Sequence, residues 1–203
     1  MLHEVAFWFS LGAGALLITG ADGAQRRFAS AIFAGSVAAC FGASALYHRV
    51  TWSPRARVWM RRLDHTGVYL MIAGTYTPVA LLALDGTLRP AILAVVWTGA
   101  GAAIALKFVW VGAPKWLAAA IGIALGWVAV AALPELVTNV APAGVILLVI
   151  GGLAYTAGAI VYARSRPDPV PSVFGYHELF HALTIVGIAF QYTAIAFFVV
   201  GIG

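Results

Sequence analysis

Seven long apolar stretches separated by short polar breaks leave this chain few ways to fold. They cover roughly residues 5–20, 28–48, 64–84, 89–110, 115–133, 142–163 and 175–200. Each is near the length, about 17 to 25 residues, that an α-helix needs to cross about 30 Å of hydrocarbon. They are also too long and too uniformly apolar for the alternating strands of a membrane barrel. With 63% hydrophobic and 9% charged residues in a 203-residue chain, there is not enough polar surface to cover a soluble globule. The pattern predicts an all-α integral membrane protein, a seven-transmembrane-helix bundle forming one domain over residues 1–203. The first stretch is short and glycine-rich, but Met1 to Glu4 contain no lysine or arginine, so a cleaved secretory signal is not expected. The single cysteine, Cys40, excludes an intrachain disulfide framework and leaves the compartment unread.

A net charge of +5 would raise the question of nucleic acid in a soluble protein, but here the cations follow the loops. Nine of the twelve lysines and arginines fall in alternate breaks: Arg49, Arg55, Arg57, Arg61, Arg62, Lys107, Lys115, Arg164 and Arg166. The other set holds Arg26, Arg27 and Arg89. The positive-inside rule then predicts a cytoplasmic N-terminus and an external C-terminus. Membrane lipids, and no nucleic acid, are the expected partners. The stretch "RVTWSPRARVWMRR", with Trp52 and Trp59 among its arginines, reads as an interfacial anchor and topology signal near anionic headgroups.

Ionisable groups inside membrane helices are costly, so each is a functional candidate. His48 closes the second stretch, Asp64 opens the third, and His177 and His181 open the seventh in "GYHELFH". With alternating helix direction, all four fall on the same, cytoplasmic, side. Residues four apart share a helix face, so His177 and His181 can offer two nitrogens to one ion, with His48 a third ligand. Three imidazoles suit zinc, and three protein ligands with an open fourth position mark catalytic sites. Asp64 fits the place of general base or partner of a ligand imidazole. Ser44, one turn before His48, can bond a ligand imidazole or a bound water. Blander readings stand beside these. A His-x-x-x-His pair at an interface can simply be hydrogen-bonded, and Ser44 can be a small residue at a helix contact. Glu178 suits the first-turn dipole, His65 points off Asp64's face, and His3 is expected to be terminal and solvated.

The segment "SALYHRVTWSPRARVWMRRLDHTGVYLMIAGTYTP", Ser44 to Pro78, together with "GYHELFH", resembles the bacterial hemolysin III family within the progestin and adipoQ receptor superfamily. The resemblance covers the whole chain in motif order. It implies a seven-helix fold in the bacterial plasma (inner) membrane with zinc near the cytoplasmic face. It implies that His48, His177 and His181 are the zinc ligands, that Asp64 binds the zinc-held water, and that Ser44 belongs to the same site. Kinship with adiponectin receptors and alkaline ceramidases implies hydrolysis of a lipid amide such as ceramide, entering from the bilayer. The family is also linked to membrane-lipid homeostasis and carries a historical label of pore-forming haemolysin. Glu4 matches the family's acidic residue before the first helix, whereas Phe7 and Ser10-Leu11 stand where relatives carry Asn and Thr-His, and Gln191 where they often carry His.

Three functions are weighed. The first is a zinc-dependent lipid amide hydrolase. The second is a receptor or sensor in which zinc clips helices together. The third is a pore or cytolysin, against which stands the lack of a continuous polar stripe along any helix.

Overall fold

In a computed structural model, residues 2–202 are described. The helices are α1 (Leu2–Gly20), α2 (Ala24–Arg49), α3 (Pro54–Ala83), α4 (Leu88–Val109), α5 (Lys115–Gly126), α6 (Leu133–Asn139), α7 (Pro142–Arg164) and α8 (Tyr176–Ala194). A 3₁₀ segment, Trp127–Ala132, joins α5 to α6, and a π-helical turn, Ile195–Val200, extends α8. Counting α5 to α6 as one, seven helical segments among the described residues are long and apolar enough to cross a membrane. The protein is a multi-pass integral membrane helix bundle. Its outward faces are apolar, with Phe9, Trp8 and Val109 largely exposed, as a hydrocarbon solvent permits and water does not.

The third helix begins about ten residues earlier than its hydropathy suggests. Ser53 accepts a hydrogen bond from the Ala56 amide at 3.4 Å and Pro54 occupies the first turn, a start signal that needs no apolar run. The arginine- and tryptophan-rich stretch expected to lie along the interface is therefore split between the end of α2 and the opening turns of α3. At 30 residues, α3 is about 45 Å long and outreaches the hydrocarbon layer. Trp52 Nε1 donates to Leu46 O at 3.0 Å, covering a carbonyl at the end of α2.

Helix α3 runs through the middle of the bundle, burying Tyr69, Met71, Ala73, Val79 and Ala80. It approaches α2 closely because two positions on it carry no side chain. A Cβ at Gly67 would lie 2.9 Å from Cys40 Cα, and one at Gly74 would land on Ser36 Oγ. Small residues let backbones approach where no hydrophobic effect drives helices together. Phe33 and Phe41 of α2 are buried in the core, against Tyr192 of α8 and His3 of α1.

The fifth span is broken rather than continuous. Pro134 has no N–H and its ring crowds the carbonyl of Val130, so the helix tightens just before it. Tyr76 of α3 repairs the break: its hydroxyl donates to Gly126 O at 2.7 Å and accepts the Ala129 N–H at 2.8 Å. Tyr76→Phe should leave both backbone groups unpaired, at about 1–3 kcal/mol for each. A clear drop in melting temperature in detergent is the expected result, and an unchanged melt would remove Tyr76 from this role.

Candidate metal centre

The start of α8 is fixed before its histidines are placed. Glu178 accepts the Gly175 amide at 3.0 Å, Asp168 accepts the Tyr176 amide at 2.8 Å, and Lys115 Nζ donates to Tyr176 Oη at 2.7 Å and to Ser165 Oγ at 2.9 Å. Glu178 is thus a capping residue. From this anchored turn His177 and His181 project on one face toward His48, at the last turn of α2. Their ring centroids lie 4.4 Å apart, and those of His48 lie 5.1 and 5.3 Å from His177 and His181.

One nitrogen from each of the three lies within 4.8 Å of the others. His48 Nε2 and His177 Nε2 are 3.3 Å apart. Two ligands of tetrahedral zinc, each about 2.0–2.1 Å from the ion, stand roughly 3.3–3.4 Å from one another, so this pair already has the spacing of one tetrahedral edge. The donor set fits a zinc-type ion.

Asp64, on α3, places Oδ2 3.9 Å from His48 Nε2. That is too long for a direct hydrogen bond and leaves the carboxylate facing the centre without belonging to the imidazole cluster. It is mostly buried, with 11% of its side chain exposed, and it lies beside Ser44. Ser44 is buried and its Oγ is 2.9 Å from His3 Nδ1. It therefore pairs with a residue of the first helix and not with one of the three clustered imidazoles.

His3 is the largest departure from expectation. It is not a solvated terminal residue: only 6% is exposed, and its ring stacks on that of His181 with centroids 3.8 Å apart and planes 17° from parallel. The reason is that α1 already begins at Leu2, so His3 lies on the buried stripe with Ala6, Gly14 and Leu17. That helical spacing was the available signal. Next to it, Glu4 pairs with Arg49 at 3.1 Å, tying the start of α1 to the end of α2. His65, which has Lys107, Arg61, His177 and His48 among its charged neighbours, does not belong to the three-histidine group.

Beside the centre, an apolar cavity of about 350 Å³ opens between α3, the broken fifth span, α7 and α8. Phe180 and Thr184, which flank His181 on α8, line it, as do Met71, Tyr76 and Leu148 deeper in the bundle. A polar hollow of about 430 Å³ near Arg26 and Arg89 lies at the opposite end of the bundle, away from the histidines.

The sequence profile of the family described as haemolysin-III related matches residues 1–192, a span that holds every residue of this centre. The chain belongs to that family. It is similar to the Hemolysin-3 homolog of Bacillus subtilis (strain 168), with 30% identity over 169 residues, covering 83% of this chain and 76% of the relative. It is also similar to Hemolysin-3 of Bacillus cereus, with 32% identity over 156 residues, covering 77% of this chain and 68% of that protein.

Proposed function

We propose that this haemolysin-III-related protein is a zinc-dependent hydrolase of membrane lipid amides. The observation that carries the reading is the juxtaposition of a three-imidazole cluster and a mostly buried carboxylate with an apolar cavity that reaches the residues flanking His181. His48, His177 and His181 would hold the ion, which supplies a Lewis acid and a water whose pKa is lowered to about 7. Asp64 accepts a proton from water at Oδ2 and passes it to the amine nitrogen as the C–N bond breaks. Water adds to the carbonyl carbon, and the products are a carboxylic acid and an amine. The acyl chain lies in the cavity, which excludes water from it and brings the carbonyl to the histidine end of the bundle. Following the charge pattern, that end is cytoplasmic, and the family resemblance points to the bacterial plasma membrane.

The test is purified protein in nanodiscs incubated with ceramides and phospholipids, with products read by lipid mass spectrometry. Metal-dependent release of fatty acid supports the reading; intact lipids with fully loaded protein contradict it. The cavity can be closed independently of the metal. A Cβ at Gly152, which lines it, meets nothing within 4 Å, so Gly152→Phe can extend into open space. We expect metal content to stay unchanged and amide cleavage to fall by at least about tenfold, equivalent to roughly 1.4 kcal/mol in the barrier; equal turnover would place the acyl chain elsewhere.

A structural role for the ion is the second reading, favoured by one observation: His48 and His177 bring the end of α2 and the start of α8 within 3.3 Å. It predicts that chelation lowers the melting temperature while lipids are never cleaved. The apolar lining of the cavity argues against a water-filled pore.

A further inference from the structure

We infer that His3 is a positioning residue of the metal centre: it sets the ring plane of His181 and orients the Ser44 hydroxyl toward Asp64. The inference rests on the zinc reading above and extends it to the first helix, where no metal ligand lies.

His3 does not serve as a ligand. An imidazole donates its lone pair in the plane of the ring, and the His3 ring is nearly parallel to that of His181 at 3.8 Å. An ion held by His181 would therefore lie well out of the plane of the His3 ring. What His3 can do is hold. A metal-bound histidine is usually oriented by a hydrogen bond from its second ring nitrogen, yet among the described residues the His181 side chain makes no hydrogen bond to another protein group. Its ring is instead confined by its neighbours: His3 on one side by stacking, with Phe180 and His177 around it. His3 is itself wedged against Phe41 of α2, with centroids 4.9 Å apart.

The polar contact runs the same way. Ser44 has one hydroxyl proton, and an ionised Asp64 beside it can only accept. With Asp64 ionised, Ser44 donates to it and accepts from the Nδ1–H of His3 across the 2.9 Å contact. In that arrangement the His3 Nε2 carries no proton, and that atom is buried with no hydrogen-bond partner among the described residues. A buried unpaired polar atom is unfavourable, and phenylalanine at position 3 would fill similar space without it. The imidazole has a cost to packing that its contacts with Ser44 and His181 explain.

Two variants separate positioning from packing. His3→Phe keeps an aromatic ring and removes both the unpaired nitrogen and the bond to Ser44; His3→Gln keeps an N–H donor and removes the ring. Zinc affinity is measured by chelator competition, the melting temperature is taken on metal-free protein, and the d–d absorption spectrum is recorded with cobalt in place of zinc. For His3→Gln, which takes the stacked ring from His181, we expect zinc affinity to fall by about 10- to 100-fold, as for other residues that orient metal ligands, with an altered cobalt spectrum. His3→Phe keeps a ring against His181 and should retain more of the affinity, with a metal-free melting temperature no lower than wild type. Wild-type affinity and superimposable cobalt spectra in both variants would overturn the inference while leaving the zinc reading standing. A wild-type protein that binds neither metal would overturn both.

Discussion

Replacing His177 with alanine is expected to remove the metal. Wild-type protein should carry about one zinc per chain, the stoichiometry of a single three-imidazole site, and the variant close to none after gel filtration. The effect should be large because two ligands remain where three are needed, and no other group stands ready. Asp64 Oδ2 is 3.9 Å from His48 Nε2, His65 lies outside the three-histidine group, and His3 is stacked face-on against His181. The fold should survive, since the start of α8 is held by Glu178, Asp168 and Lys115 and not by the imidazoles. Elemental analysis checks the stoichiometry and circular dichroism the helix content. A variant that keeps a full complement of zinc would show that the ion sits elsewhere.

The second large effect is expected at Asp64. Asp64→Asn preserves the size and polarity of the side chain but takes away its ability to accept a proton. Because the carboxylate stands apart from the imidazole cluster, the variant should bind zinc with near-normal stoichiometry. Amide cleavage should fall by about 10²–10⁴-fold, the range attributed to a general acid–base group. The split between intact metal content and lost turnover is what distinguishes this role from that of a ligand. Loss of zinc in Asp64→Asn would make Asp64 a structural partner of His48; unchanged cleavage would take it out of the chemistry.

Some of this molecule could be read from its residues and some could not, for physical reasons. The spans follow from hydropathy because hydrocarbon penalises every unpaired backbone group, which leaves helices as the solution for runs of this length. His48, His177 and His181 fall together because alternating helix direction and a four-residue spacing fix both depth and face. The early start of α3 escaped because hydropathy does not register an amphipathic, arginine-rich helical turn, although Ser53-Pro54 announced it. The break in the fifth span depends on Pro134 and is repaired by Tyr76, some fifty residues away, a partnership no local pattern contains. The cavity beside His181 is a property of how α3, α7 and the broken span fail to meet, and so has no sequence signal of its own. His3 was hidden by its position near the chain start, where fraying is the usual expectation; its spacing from Ala6 and Leu17 placed it on the buried face all the same.

The central claim is that these histidines hold zinc in a site with one open position, and X-ray absorption at the zinc edge of the purified protein tests it most directly. The account predicts a four-coordinate ion with three nitrogen ligands at about 2.0–2.1 Å and one oxygen ligand, changed in His177→Ala. A spectrum dominated by sulfur, a six-coordinate all-oxygen shell, or protein without zinc would contradict it.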